Sequence, residues 1–191
     1  MLKLETERLI LRDFEINDIK LFHDMSVEEK ITNFQKWFLG KNGYKQWVEE
    51  SIDHNNRIPR FAYNLVIILK NNEKPIGWLG WGTDDLEIRK YDFGYALLPE
   101  YWNKGIMAEA LKCGIDYMFN QLNASIVLGE CVNENIGSAR VMEKAGLSLT
   151  SEWEELNSET KKIEKRKEYS KKNIKAIFTL PKCSYVKVGL E

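Results

Sequence analysis

A strand-to-helix junction near the middle of the chain constrains the fold more than any other feature. The run Tyr91–Leu98, YDFGYALL, is apolar and aromatic enough to form a strand, and it stops at Pro99. A helical pattern with one apolar face follows over Met107–Leu122, and a lone glycine, Gly105, lies where that helix begins. The sequence therefore predicts a strand, a short connection and a helix N-terminus in immediate succession.

The remaining segments alternate between strand-like and helix-like patterns. LETERLILR alternates apolar and charged residues, which predicts a first strand, and Ile16–Met25 has helical spacing with Asn17 as its N-cap. Further elements follow in this order: a helix at Tyr44–Ile52, a hairpin of Tyr63–Leu69 and Ile76–Trp81, a strand in SIVLGECVN, and a helix between Asn135 and Gly146. The order β-α-α-β-β-β-α-β-α predicts an α+β domain on one mixed sheet.

Bulk composition narrows the classes of function. A chain of 191 residues is long enough for one domain, and its net charge of −1 gives no reason to expect a nucleic-acid or membrane partner. The N-terminus lacks the apolar core of a signal peptide, and no window approaches the ~18 apolar residues of a membrane helix. The three cysteines are widely spaced without a CxxC pair, which predicts reduced thiols in a cytoplasmic protein.

The junction also carries the strongest candidate chemistry. The first N–H groups of a helix have no intrahelical partner and the helix dipole adds partial positive charge, so a phosphate can bind there. Gly105 lets the backbone approach a ligand closely and Lys104 adds a cation, which makes Asn103–Ala108 a candidate diphosphate loop. A single glycine before a helix is more often a plain turn residue. The glycine-rich Gly77–Gly82, GWLGWG, lies inside a strand and indicates close packing, not a second phosphate site.

Three blocks of sequence together carry a family resemblance. LETERLILR, DFGYALLPEYWNKGIMAEAL and ECVNENIGSARVMEKAGL occur in an order and spacing that resemble the GCN5-related N-acetyltransferases, in the branch of the ribosomal-protein N-terminal acetyltransferases. The resemblance covers about residues 4–147. It implies one domain over residues 1–191, with a mostly antiparallel sheet splayed between two middle strands and flanked by helices. It also implies direct transfer of an acetyl group from acetyl-CoA to a primary amine, without a metal.

The resemblance assigns roles to individual residues. It places pantetheine along the strand edge, the pyrophosphate on the loop amides, and the first asparagine of N-x-x-S against the pantetheine arm. Glu130 matches a glutamate that acts as general base in some relatives, and Ser138 matches a serine that can protonate the leaving thiolate. The implied catalytic residues are Glu130 and Ser138, and the implied cofactor-binding residues are Phe93, Tyr95, Ala96, Leu97, Leu98, Asn103, Lys104, Gly105, Ile106, Met107, Ala108, Asn135 and Ser138.

Some positions depart from the family pattern or have ordinary structural explanations. Trp102 and Met107 replace the first and last residues of the pattern [QR]-x-x-G-x-[GA], and Met142 stands where some relatives carry an acid tyrosine. Glu130 has a second interpretation as a solvent-facing strand residue, whose pKa would have to be raised by partial burial before it could act as a base. Ser138, like Asn135, is also a normal residue for a first helical turn.

The tail after Leu147 departs most from the pattern. SLTSEWEEL and KAIFTL are the candidates for the last two strands of the sheet. Between them, the charged run KKIEKRKEYSKK is expected to be a solvated helix or loop.

The acceptor is left open between a protein N-terminus and a small amine, and a non-catalytic CoA-binding protein is a third alternative. Phe34, Trp37 and Phe38 are candidates for the wall of an acceptor pocket. Asp84, Asp85 and Glu152–Glu155 would attract a cationic amine. His23 and His54 match no family site. A monomer or a homodimer is expected.

Overall fold

The computed structural model describes residues 1–35, 43–157 and 161–174. Within these ranges, eight strands and five α-helices follow one another along the chain. The strands are β1 (Lys3–Glu5), β2 (Leu9–Asp13), β3 (Ala62–Leu69), β4 (Pro75–Gly82), β5 (Lys90–Leu97), β6 (Ile126–Val132), β7 (Ser148–Leu156) and β8 (Ile163–Lys172). The helices are α1 (Ile19–Ser26), α2 (Glu29–Thr32), α3 (Gly43–Asn55), α4 (Ile106–Asn120) and α5 (Ile136–Lys144).

All eight strands belong to one sheet in the order β1-β2-β3-β4-β5-β6-β8-β7. Every neighbouring pair is antiparallel except β5 and β6, which run parallel. Their parallel register covers only Lys90–Asp92 against Ile126–Leu128, although β5 continues to Leu97 and β6 to Val132. The sheet therefore splays between its two middle strands, and this confirms the α+β fold with a mostly antiparallel, splayed sheet.

Two apolar layers cover the sheet on opposite faces. One contains the buried face of α4 with Leu111, Ile115 and Met118, and it also takes in Met142 of α5. The other contains Phe14, Phe22 of α1 and Val48 of α3, packed against Trp78 of β4. Apolar side chains at helical spacing on α4 and at alternate positions on the strands produce this arrangement.

The glycines of GWLGWG are explained by packing inside β4. A Cβ atom at Gly77 would lie 2.3 Å from the backbone oxygen of Ala96, and one at Gly80 would lie 2.2 Å from Oδ1 of Asn64. Neither position can accept a side chain without moving its neighbours. The prediction of close packing at this segment is confirmed.

A buried ion pair ties the second strand to the loop before the third. Asp13 is fully buried, and its two carboxylate oxygens accept hydrogen bonds from the guanidinium of Arg60 at 2.7 and 3.2 Å. The backbone N–H of Leu2 donates to the same carboxylate at 2.6 Å. Arg60 also lies 4.2 Å from the ring centre of Tyr63, so its charge is balanced on both sides.

The N-terminal elements differ from the prediction in two details. LETERLILR forms two strands, β1 and β2, which pair antiparallel with each other across a turn. The following helix begins with a 3-10 turn at Ile16–Asp18 whose N-cap is Glu15, not Asn17, because the Glu15 and Asp18 side chains bond each other's backbone in a capping box.

The tail contains the largest correction. The charged run KKIEKRKEYSKK contains the whole of β8, which pairs antiparallel with β6 along seven residue pairs and with β7 on its other side. The prediction of a solvated helix or loop is therefore wrong. SLTSEWEEL is confirmed as β7. The strand that pairs with it is Ile163–Lys172. The other candidate, KAIFTL at 175–180, lies outside the described residues.

Candidate functional site

The splay leaves one backbone edge of β5 facing away from β4. The Leu98 N–H donates to the Ile76 carbonyl at 2.9 Å, so even-numbered residues of this strand are bonded toward β4. The backbone groups of Phe93, Tyr95 and Leu97 consequently point toward the splay. Three of the predicted pantetheine contacts thus have edge-facing backbone, whereas Ala96 and Leu98 can offer only their side chains.

The carbonyl groups of this edge accept hydrogen bonds from two side chains. The sequence had not indicated either of them as a contact of β5. The Nε2 of Gln35 donates to the Tyr95 carbonyl at 2.7 Å, and the indole N–H of Trp102 donates to the Leu97 carbonyl at 2.7 Å. The Oε1 of Gln35 is buried and has no hydrogen-bond partner among the described residues. Trp102, which departs from the family pattern, therefore has a structural role through its bond to Leu97. Nothing in the local sequence around Gln35 indicates that it contacts Tyr95.

The candidate diphosphate loop lies just beyond the end of this edge. Gly105 is the N-cap of α4 in a left-handed conformation, with φ 71° and ψ 3°, and Asn103 also has a positive φ of 60°. No side chain caps the helix within the described residues. The loop residues Asn103–Gly105 are exposed, whereas Ile106–Ala108 in the first turn of the helix are buried. The first N–H groups of α4 therefore lack intrahelical partners, and they lie directly behind an exposed loop.

A network of hydrogen bonds joins this loop to the turn between β1 and β2. The Arg8 guanidinium donates to the Lys104 carbonyl at 3.2 Å and to the Glu109 carboxylate at 2.6 Å. Glu109 also accepts from the Thr6 hydroxyl and from the Arg8 backbone N–H at 3.1 Å. Burial favours the neutral acid, but the hydrogen bonds from Thr6 and Arg8 outweigh it and lower the pKa of Glu109.

The residues of the N-x-x-S motif meet β5 across the splay. The side-chain oxygen of Asn135 accepts from the Ser138 N–H at 3.0 Å, which confirms Asn135 as the N-cap of α5. The phenol of Tyr95 lies 2.9 Å from the Ser138 hydroxyl and also donates to the Ser138 carbonyl at 3.0 Å. Burial raises the pKa of Tyr95, so this phenol stays protonated near neutral pH.

We expect Tyr95→Phe to loosen the contact between β5 and α5 without unfolding the protein. Removing the hydroxyl leaves the Ser138 hydroxyl and carbonyl without that partner, which costs roughly 1–3 kcal/mol of unfolding free energy. Urea denaturation of the wild type and the variant measures this loss. Tyr44→Phe is the matched control, because Tyr44 makes its hydroxyl contact with the exposed His23 far from the splay. Equal stability of Tyr95→Phe and the wild type would contradict the expectation.

Glu130 is only partly buried on β6. Its side chain is 40% exposed, and its carboxylate lies 3.2 Å from the guanidinium of Arg166 in β8. Asp92 is in register with Leu128 and therefore lies on the same face of the sheet as Glu130. Burial raises the pKa of Asp92, assisted by the nearby acids Asp84 and Glu168 and opposed by Lys90. This face of the splay thus carries two carboxylates in different environments.

The remaining candidates have structural roles or lie outside the site. Phe34 is 45% exposed at the end of α2, whereas Trp37 and Phe38 lie outside the described residues. Asp85 caps the turn after β4 by accepting from the N–H groups of Glu87 and Ile88. His23 bonds Tyr44 at 3.1 Å.

The described part of the chain lacks two classes of feature. No group of three or more histidine, cysteine or acidic side chains there could hold a metal ion. None of the helices in the same ranges has the length and apolarity needed to cross a membrane.

Comparison with known proteins identifies the class. The acetyltransferase (GNAT) domain model matches residues 8–148. An uncharacterised N-acetyltransferase of Bacillus subtilis, YnaD, is 26% identical over 145 residues, which are 75% of this chain and 81% of the relative.

Solved structures share the fold. A ribosomal-protein-S5-alanine acetyltransferase from Vibrio fischeri is 22% identical with a TM-score of 0.77, covering 91% of this chain and 98% of that one. A spermidine N-acetyltransferase from Vibrio cholerae, solved with CoA and spermine, is 17% identical with a TM-score of 0.75, covering 90% and 99%. At these identities the likeness is one of fold.

The protein is thus an N-acetyltransferase. It belongs to the GNAT family, whose domain model covers the splayed strands β5 and β6, the candidate diphosphate loop and the N-x-x-S helix.

Proposed function

We propose that the protein transfers an acetyl group from acetyl-CoA to a primary amine, and that the preferred amine is the N-terminus of a polypeptide. The observation that carries the proposal is the edge of β5, which leads from the splay directly to the uncapped N-terminus of α4 at Gly105. An extended pantetheine arm fits a strand edge because its carbonyl groups can accept from backbone N–H groups such as those of Tyr95 and Leu97, whose own carbonyls are bonded by Gln35 and Trp102. A diphosphate fits a helix N-terminus. One ligand satisfies both features.

The proposed reaction is a direct attack of the neutral amine on the thioester carbonyl. An edge-facing N–H of Tyr95 or Leu97, beyond the paired part of β5, stabilises the negative charge that develops on the carbonyl oxygen. Binding both substrates in one cleft supplies much of the acceleration by holding the nitrogen against the carbonyl carbon. Ser138, which is bonded to the protonated Tyr95, is the proposed proton donor to the leaving thiolate.

Glu130 remains the proposed base, acting through water because its carboxylate is exposed. We expect Glu130→Gln to lower kcat while leaving acetyl-CoA affinity unchanged, since the amide cannot accept the ammonium proton. Arg166→Gln is the matched control, because it removes the other half of the same ion pair and keeps the carboxylate. A pH–rate profile of both variants measures the effect. If Arg166→Gln loses as much activity as Glu130→Gln, Glu130 acts only through the ion pair.

The acceptor proposal is supported by the exposure of the last strands. Strand β7 is exposed along almost its whole length, which favours an open acceptor side that admits a polypeptide. A small polycationic amine is the second candidate, because Asp92, Glu130 and Glu168 occupy the same face of neighbouring strands. The widely spaced cysteines favour the cytoplasm as the place of action. The proposed oligomeric state is a monomer or a homodimer.

The test has a binding part and a transfer part. Calorimetric titration with acetyl-CoA is expected to give micromolar affinity, and mass spectrometry then follows acetylation of peptides with a free N-terminus, their N-blocked counterparts, and spermidine. Transfer to the free peptides and not to the blocked ones supports the proposal. Transfer to spermidine alone selects the second candidate. Binding without transfer to any amine identifies a CoA-binding protein without turnover, and no binding refutes the proposed site.

A further inference from the structure

We infer that Arg8 is a positioning residue for the diphosphate loop, and that it acts by fixing the Lys104–Gly105 peptide so that the Gly105 N–H faces the ligand. The inference rests on the proposed acetyl-CoA site and adds to it a residue some 100 positions away in the chain. Arg8 belongs to the TERLILR segment, which the proposed chemistry has not otherwise used.

The first step of the argument is the geometry of one peptide unit. An Arg8 guanidinium nitrogen donates to the Lys104 carbonyl at 3.2 Å, and another lies 3.8 Å from the place where a Cβ of Gly105 would stand. A trans peptide is planar, so its C=O and N–H point in opposite directions. Because the carbonyl is held toward Arg8, the Gly105 N–H is directed away from Arg8.

The second step is that Arg8 is itself held in place. Its guanidinium makes two contacts of 2.6 Å with one Glu109 oxygen, and its own N–H bonds the other oxygen of that carboxylate at 3.1 Å. The Thr6 hydroxyl donates to Glu109 as well. Glu109 lies in the first turn of α4 and its N–H donates to the Gly105 carbonyl at 3.1 Å. Arg8, the loop and the helix start therefore form one connected unit.

The third step concerns charge. The lowered pKa of Glu109 keeps its carboxylate ionised, so it neutralises the guanidinium that it contacts. The pair adds little net positive charge at the loop. The effect of Arg8 on a diphosphate is therefore geometric: it holds the Lys104–Gly105 peptide, which lies at a left-handed glycine, in the orientation that presents the Gly105 N–H.

The experiment compares two ligands across four proteins. Acetyl-CoA contains the diphosphate, whereas S-acetylpantetheine contains the thioester arm without it. The proteins are the wild type, Arg8→Gln, Arg8→Lys and the control Lys70→Gln. Lys70 braces the same turn by donating to the Thr6 carbonyl at 2.7 Å and pairing with Glu5, but it does not contact Lys104. Thermal unfolding checks that each variant is folded.

We expect Arg8→Gln to weaken acetyl-CoA binding by about tenfold, the equivalent of one well-formed hydrogen bond, with S-acetylpantetheine affinity within about twofold of the wild type. Arg8→Lys should resemble Arg8→Gln, because a lysine has one donor head and cannot bond Glu109 and the Lys104 carbonyl in the planar fork that arginine provides. Lys70→Gln should bind both ligands normally.

Three results would overturn the inference. Unchanged acetyl-CoA affinity in Arg8→Gln would show that the loop needs no external support. Equal losses for both ligands would indicate a general structural role, and full rescue by Arg8→Lys would indicate charge rather than peptide orientation. Failure of the proposed function is separate, because it appears as a wild type that binds no acetyl-CoA, and in that case the inference falls with it.

Discussion

Replacing Gly105 with aspartate is expected to abolish acetyl-CoA binding at concentrations that saturate the wild type. The substitution puts a carboxylate at the N-terminus of α4, where the proposed diphosphate binds. Repulsion between two charges about 4 Å apart costs about 1–4 kcal/mol in a partly solvated site, or roughly fivefold to a thousandfold in affinity. Calorimetric titration measures the loss.

Gly105→Asn is the matched control for this variant. Asparagine has nearly the same shape as aspartate and tolerates the left-handed conformation about as well, so both variants carry a similar backbone cost at φ 71°. The nearest atom to an added Cβ is 3.8 Å away, which leaves room for either side chain. The ratio of the two affinities therefore reports the charge alone. If asparagine and aspartate weaken binding equally, the anion does not lie at this helix start.

Asp13→Ala is expected to cause the largest loss of stability of any substitution considered. The change leaves the mostly buried Arg60 guanidinium without its ionic partner and the Leu2 N–H without its acceptor. Breaking a buried pair by removing one member costs about 3–5 kcal/mol. Urea denaturation followed by tryptophan fluorescence gives the free energy of unfolding.

Two further variants make this expectation specific. Asp24→Ala removes an exposed ion pair with Lys20 on α1 and should cost only about 0.5 kcal/mol or less. The double variant Asp13→Ala/Arg60→Met removes the unpaired charge and should recover part of the stability lost in Asp13→Ala. A double variant less stable than the single one would show that Arg60 stabilises the protein through Tyr63 and the loop, not through Asp13.

The sequence predicted the middle of the molecule well because its signals there are local. The apolar face of α4, the strand before Pro99 and the cap at Asn135 each depend on residues within a few positions of one another. The same is true of the glycine at the start of α4, whose left-handed conformation a side chain would strain.

Strand β8 could not be predicted from its own sequence. Its side chains are mostly lysine, arginine and glutamate, with only Tyr169 and Ser170 buried among them. What makes it a strand is pairing with β6 some 40 residues earlier and with β7, and ion pairs such as Lys167 with Glu152 cross those ladders. Local propensity and periodicity carry no information about such distant partners.

The long-range contacts of the candidate site were missed for the same reason. Arg8 bonds Lys104 and Glu109 about 100 positions away, and Gln35 bonds Tyr95 across 60 positions. The residues next to Arg8 and Gln35 in the sequence do not indicate these distant partners. The position of Glu130 in a strand was predicted, but its pairing with Arg166 depended on the unpredicted β8.

The bonded carbonyl groups of β5 also bear on how the protein avoids self-association. An open strand edge in the middle of a sheet is a template on which a second chain can add a strand. The indole of Trp102 and the amide of Gln35 occupy the carbonyls of Leu97 and Tyr95, so an incoming strand finds two of its acceptors already taken. The same two side chains thus oppose intermolecular β-sheet growth at this edge. A protein lacking both would be prone to aggregate when no ligand occupies the cleft.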